Sequence, residues 1–203
     1  MQIRIVTAVA AALALMGAAG SAQAQLTRAS GAGFSSASSV VSLAGTDLVV
    51  DVAGINTNGE EGDAANTVMF FQLLPGALVD AVSWSTTQTA FAPSWLSEMT
   101  ISFVNSAGDG VVLSPGAGDD FAGNASYAES ALLSDFGLAF NVGADGLLRV
   151  EIFESFDDAS VNPDGLFVSG NVTFSNVVPE PATYGMMALG LFAVGAAARR
   201  RRG

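Results

Sequence analysis

The chemistry open to this chain is carboxylate chemistry. Acidic and amide side chains gather in three segments: Asn58, Glu60, Glu61 and Asp63; Asp119 with Asp120; and Asp157, Asp158, Asn162 and Asp164. A hard cation such as calcium takes about six to eight oxygens from carboxylates and carbonyls. The third segment is the best candidate loop, because its ligands alternate with turn residues. None of the three is an EF-hand. With Asn56 in first place, Gly59 falls two positions early and the sixth place is Glu61. The plainer reading of each is a solvated acidic loop. Two carboxylates roughly 5–10 Å apart would serve glycoside hydrolysis, but in so acidic a chain such pairs arise by chance, and no cleft is marked. Cysteine and histidine are both absent. That excludes thiol nucleophiles, Ser-His-Asp relays and the usual zinc sites. The expectation is a protein that is not an enzyme and has no cofactor, calcium excepted.

Aromatic residues offer a second chemistry. Trp84, Trp95, Tyr127 and Phe167 could act as platforms for sugar rings. Trp84 alternates with a strand face and reads as core. Trp95 follows Pro93 in a bend with Phe91, and reads either as part of an aromatic plug or as a surface contact. Together with the acidic loop, these residues carry one reading of function, a calcium-dependent carbohydrate-binding module.

The elements that must hold these residues read as β. From Val40 to Val178, runs of Val, Ile, Phe and Thr are cut by Gly, Asn and Asp, with no sustained 3.6-residue period. Residues 67–74 form a nearly continuous apolar strand. Met99, Ile101 and Phe103 alternate with Glu98, Thr100 and Ser102, which predicts one buried and one wet face. Tyr127 to Asp135 reads as a helical turn or an irregular crossing. Residues 136–142 and 147–153 read as a hairpin about Asp145-Gly146. In the closing strand, Leu166, Val168, Val172 and Phe174 alternate with Phe167, Ser169, Asn171, Thr173 and Ser175. The stretch from Gln25 to Ser39 is rich in Ser, Ala and Gly and reads as a mobile lead-in. The predicted fold is all-β, an antiparallel β-sandwich of jelly-roll-like form spanning residues 25–176.

Both ends differ from this body. Arg4, an apolar run over residues 5–19 and the small-residue site Ala22-Gln23-Ala24 describe a signal peptide over residues 1–24, with a mature N-terminus at Gln25. The body that follows carries 18 acidic side chains against Arg28 and Arg149, a net charge of −16, and lysine is absent from the whole chain. Such a surface repels nucleic acid, so none is expected as a partner. A domain of this size buries enough core to do without disulfides.

The C-terminal end, residues 177–203, has three parts. Val178-Pro179-Glu180-Pro181 cannot continue a strand or helix, since proline fixes φ and lacks an N–H. Residues 182–198 are uncharged and mostly apolar, long enough for a short transmembrane helix. Arg199, Arg200, Arg201 and Arg202 then hold that end on the cytoplasmic side. Pro-Glu-Pro, short helix and arginine cluster, in this order, resemble the PEP-CTERM sorting signal of exopolysaccharide-producing Gram-negative bacteria, a tail sometimes named after ice-binding proteins. No regular Thr-x-Thr array of the kind an ice-matching face would use occurs upstream. The resemblance implies recognition of Pro179, Glu180 and Pro181 by an exosortase, a membrane cysteine protease-transpeptidase that cuts near this motif. It also implies an inner-membrane precursor, then a place at the cell surface or in the extracellular matrix among exopolysaccharide. The expected function is that of an exported structural or interaction protein.

Overall fold

The computed structural model describes residues 24–30, 33–34, 40–42, 47–175 and 191. Among them the regular structure is strand, apart from two 3-10 turns at Leu96–Glu98 and Leu133–Phe136 and the single helical residue Leu191. The strands in chain order are β1 (Gln25–Ser30), β2 (Val40–Ser42), β3 (Leu48–Asp51), β4 (Ile55–Thr57), β5 (Thr67–Gln72), β6 (Leu78–Val79) and β7 (Ala81–Ala90). They continue as β8 (Met99–Asn105), β9 (Asp109–Ser114), β10 (Gly123–Leu132), β11 (Phe140–Asn141), β12 (Leu147–Glu154) and β13 (Gly165–Ser175). Branched and aromatic side chains favour this pleated, half-buried setting.

Two sheets share one core. The first has the order β1-β9-β8-β12-β5-β2, and the second β10-β7-β13-β3, with β4 also pairing β13. Strands β6 and β11 form a small ribbon of their own. Pairing is antiparallel throughout except between β2 and β5. Phe103 of the first sheet meets Phe174 of the second edge-on, ring centroids 4.7 Å apart, a favoured aromatic geometry. Ile101, Leu148, Val150 and Ile152 pack from one side, and Leu48, Val50, Trp84, Phe167 and Val172 from the other. The predicted all-β, antiparallel class holds.

Strand β13 defines the long axis of the body. It starts at Gly165, opposite Ala90 and Thr57, and ends at Ser175, opposite Ala81. Eleven residues at about 3.3 Å each separate these ends by roughly 33 Å. The loops 91–98, 115–122 and 155–164 lie at the Gly165 end. The chain leaves toward its C-terminal segment at the Ser175 end, beside an open cavity of about 450 Å³ lined by Ala81, Leu132, Asp135, Phe136 and Ser175.

Several expectations need correction. Gln25 opens a six-residue strand, so the first part of the Ser/Ala/Gly stretch is not a lead-in: β1 pairs in full with β9 along the sheet edge. Thr100 and Ser102 are as buried as Ile101 and Phe103. Strand β8 is flanked by β9 and β12, Thr100 Oγ1 donates to Phe153 O at 3.0 Å, and the 58–66 loop reaches Glu151, the cross-strand partner of Ser102. Of the stretch from Tyr127 to Asp135, read as a helical turn or an irregular crossing, residues 127–132 are instead the second half of β10, an edge strand whose small polar residues hide its period, while residues 133–135 do begin a 3-10 turn. Residues 136–142 contribute only the two-residue β11, and Asp145-Gly146 joins two strands that do not pair with each other: β11 pairs β6, while β12 pairs β5 and β8. In β13 a bulge between Phe167 and Ser169 resets the alternation. Phe167, Val172 and Phe174 face the core, and Val168 is exposed. Gly170 sits on the far side of that bulge with φ +118°, and a Cβ there would lie 2.0 Å from Ser85 O.

Candidate functional site

The Gly165 end is built by three loops tied by backbone hydrogen bonds. Leu96 N–H donates to Phe121 O at 3.0 Å, Ser97 N–H to Asp119 O at 3.2 Å, Ser155 N–H to Glu98 O at 2.8 Å, and Phe91 N–H to Asp164 O at 2.8 Å. Ser97 Oγ donates to Asp120 at 2.8 Å and Tyr127 OH to Asp119 at 2.7 Å. Beneath these loops lies a group of carboxylates centred on Thr57. Its hydroxyl donates to Glu154 Oε1, and its carbonyl accepts the Asp164 N–H at 3.0 Å. Glu154 and Asp164 are both fully buried. Glu154 ends β12 on the face that carries Leu148, Val150 and Ile152, so the strand itself drives a carboxylate into the interior. Asp164 is placed by β13, whose first residue, Gly165, is tightly enclosed. A Cβ there would stand 2.8 Å from Thr57 Oγ1 and 2.9 Å from Met99 Sδ.

These two carboxylates are half-satisfied. Glu154 Oε2 and Asp164 Oδ1 are buried without a hydrogen-bond partner, a costly state for polar atoms. Asp164 Oδ2 accepts only the Asp158 N–H at 3.3 Å. Burial, reinforced by Asp164, Glu98 and Asp158, pushes the Glu154 carboxyl up to about 8, against the lowering bond from Thr57. Burial also raises Asp164, with Asp157, Asp158 and Glu98 adding to it. Glu98 is raised by burial first and then by Asp158 and Asp120, although its Oε2 accepts the Trp95 N–H at 2.8 Å.

Glu151, three residues earlier in β12 and equally buried, shows what full satisfaction looks like. Arg149 pairs with its Oε2 at 2.5 Å, while Gly62 N–H and Asn66 Nδ2 donate to Oε1 at 2.7 and 2.9 Å. The two body arginines are thereby committed elsewhere, since Arg28 donates to Gly137 O.

The acidic loop singled out from sequence is only partly assembled. Asp164 is buried and receives the Asp158 N–H, Asp158 is half-buried, and Asp157 and Asn162 point outward. Among the described residues no three acidic side chains form a group able to hold a metal ion. Glu154 and Glu98 were not anticipated. The signal for Glu154 was its place in the alternation Leu148, Val150, Ile152, Glu154, where an apolar residue was due.

Aromatic side chains surround this end on the outside. Phe91, Trp95, Phe121 and Phe156 are 37%, 44%, 53% and 58% exposed, so Phe91 and Trp95 form no plug. Trp84 and Phe167 are core residues and Tyr127 is half-buried, which removes the first two as platforms.

At the other ends of the chain, Ala24 is half-buried and packs against the core beside Leu26. Ala22, Pro179, Glu180, Pro181 and Arg199 to Arg202 lie outside the described residues, as do residues 182–198 apart from Leu191. Among the described residues no helix is long and apolar enough to cross a membrane. A comparison with curated proteins returns no match. A family model for the PEP-CTERM protein-sorting motif matches residues 177–202. The strand that ends at Ser175 is therefore followed, after a single residue, by a signal that marks this protein for exosortase handling and export to the cell surface.

Proposed function

We propose that this chain is a non-enzymatic structural or interaction protein of the extracellular polymer layer, delivered by a cleaved signal peptide and released from the inner membrane by an exosortase. On this reading the body is a jelly-roll-like β-sandwich, Ala22 and Ala24 direct signal cleavage, Pro179, Glu180 and Pro181 are the exosortase's recognition residues, and Arg199 to Arg202 orient the precursor. The observation that carries it is the sorting motif at residues 177–202, set one residue beyond the end of β13. Signal cleavage after Ala24 would leave β1 whole, because its pairing begins at Gln25 with Ser114. The long axis adds a direction. The sorting segment leaves at the Ser175 end, so the loop end with its aromatic rim faces away from the membrane while the precursor is anchored.

Mass spectrometry of the protein recovered from its host tests this reading. The expected product begins at Gln25 and ends near Pro181, with the apolar segment and arginines gone. A surface-located product that retains Arg199 to Arg202 would overturn it. In a strain lacking its exosortase the protein should stay in the inner-membrane fraction.

A second reading, a carbohydrate-binding module, is favoured by the four exposed aromatics on the loops of the Gly165 end. Rings left in water on a loop surface are the usual stacking platforms for apolar sugar faces. Retention of the body on host exopolysaccharide, lost on replacing these aromatics, would support it; unchanged retention would exclude it.

A further inference from the structure

We propose that Glu154 and Asp164 are ligands of a calcium ion held between the two sheets, through Glu154 Oε2 and Asp164 Oδ1. Both oxygens are buried and unpartnered, and both belong to side chains with no exposed surface. Glu154 ends β12 and Asp164 immediately precedes β13 of the other sheet, and Thr57 links the two residues, donating its hydroxyl to Glu154 and accepting the Asp164 backbone N–H. The half-buried carboxylates of Glu98 and Asp158 act on the same pair electrostatically. The two buried carboxylates lie where neither arginine of the described residues is free to pair with them: the chain has no lysine or histidine, Arg149 is paired with Glu151, and Arg28 donates to Gly137 O.

Buried charge of one sign needs a compensating partner. Elsewhere in β12 the fold supplies one, giving Glu151 an arginine and two N–H donors. At Glu154 it supplies one hydroxyl. A hard cation satisfies carboxylate oxygens that no N–H reaches, and calcium tolerates an irregular shell completed by carbonyls and water. Among the described residues no third acidic side chain completes a metal-holding group, so carbonyls and water would supply the rest of the shell. The assignment differs from the loop read from sequence, in which Asp157 and Asn162 were ligands. It rests on the body alone and not on the reading of the sorting tail, so either can fail without the other.

The test uses the purified full chain in mild detergent, stripped with a chelator and titrated with calcium chloride alone. One ion per chain by titration calorimetry is expected. The melting midpoint should rise by about 5–10 °C at calcium a hundredfold above its Kd. Glu154→Gln and Asp164→Asn should each lose most of that rise, while Glu60→Gln, on another acidic loop, should keep it. Absence of bound ion and of any rise at millimolar calcium would overturn the proposal, as would a rise that both variants retain or that Glu60→Gln loses equally. If the variants do not fold, hydrogen exchange of the wild-type chain decides. Calcium-dependent slowing at Thr57 and from Ser155 to Gly165 supports the site, and slowing absent there or confined to residues 60–63 or 119–120 refutes it.

Discussion

Replacing Glu154 by glutamine should stabilise the calcium-free protein at neutral pH, and the gain should vanish in acid. The reasoning is proton linkage. The Glu154 carboxyl is pushed from its ordinary 4.5 to about 8 in the fold, first by burial and then by Asp164, Glu98 and Asp158. Between those two values the folded protein holds a proton that the unfolded chain has released. Stability must then fall as pH rises, because the native state binds more protons than the unfolded one. The penalty is absent below about pH 4.5, grows through the interval, and levels off above about pH 8. At about 1.4 kcal/mol per pH unit, it reaches about 3 kcal/mol at pH 7.

Glutamine cannot ionise and is free of this term. Its carbonyl can still accept from Thr57 Oγ1, the one bond Glu154 makes by its side chain. Its amide takes the place of the unpartnered Oε2. Any fixed cost of seating the amide, about 1 kcal/mol, is independent of pH and cancels from the slope. Glu98 and Asp164, also raised, titrate in both proteins. The assay is urea unfolding of the full chain with chelator present, at intervals from pH 4 to 8. The stability difference, variant minus wild type, should grow by about 3 kcal/mol between pH 4.5 and 7. A difference that stays flat across that range would refute the claim that burial keeps Glu154 protonated. With saturating calcium the order should invert, since the wild type gains a ligand that the variant cannot hold.

Other perturbations separate the parts of the fold. Glu151→Gln should do the reverse of Glu154→Gln, costing about 2–4 kcal/mol at pH 7 in urea unfolding, because it breaks the pair with Arg149 and leaves that cation half-buried. Gly170→Ala should cost about 3 kcal/mol or more by the same measurement, combining a φ of +118° with a Cβ 2.0 Å from Ser85 O. Trp95→Ala should leave stability within about 1 kcal/mol, since the ring is 44% exposed. The same change should weaken retention on host exopolysaccharide by about tenfold if that ring stacks on sugar.

Strand content was legible because Val, Ile, Phe and Thr recur at period two in β8, β12 and much of β13. The errors follow from effects that alternation does not encode. At Thr100 and Ser102 the polar face is covered by Phe153, Glu151 and the 58–66 loop, all distant in sequence. The bulge at Phe167/Ser169 adds one residue to β13 and inverts the faces upstream of it. Strand β10 is written in Asn, Ala, Ser and Glu because an edge strand with one open side needs little apolar surface. The Asp145-Gly146 pair was rightly a turn, with Gly146 at φ +69°, yet the turn passes the chain between sheets. Turn chemistry fixes the local bend and leaves the choice of partner strand open.

The acidic site shows the same division between local and distant information. Sequence spacing drew attention to the loop from Asp157 to Asp164, where ligands are dense, but density measures what is available to solvent as readily as what is aimed inward. Asp157 and Asn162 are exposed. What distinguishes Asp164 is that Thr57, more than a hundred residues earlier, accepts its N–H and draws it under the loops beside Glu154. The stronger clue lay in a strand. A glutamate that takes the next inward place after Leu148, Val150 and Ile152 must be neutralised by a proton, a protein cation or a bound ion. The chain has spent both of its body arginines on Glu151 and Gly137. Among the described residues only the proton and the external ion remain, and the opposite signs expected for Glu154→Gln without and with calcium tell them apart.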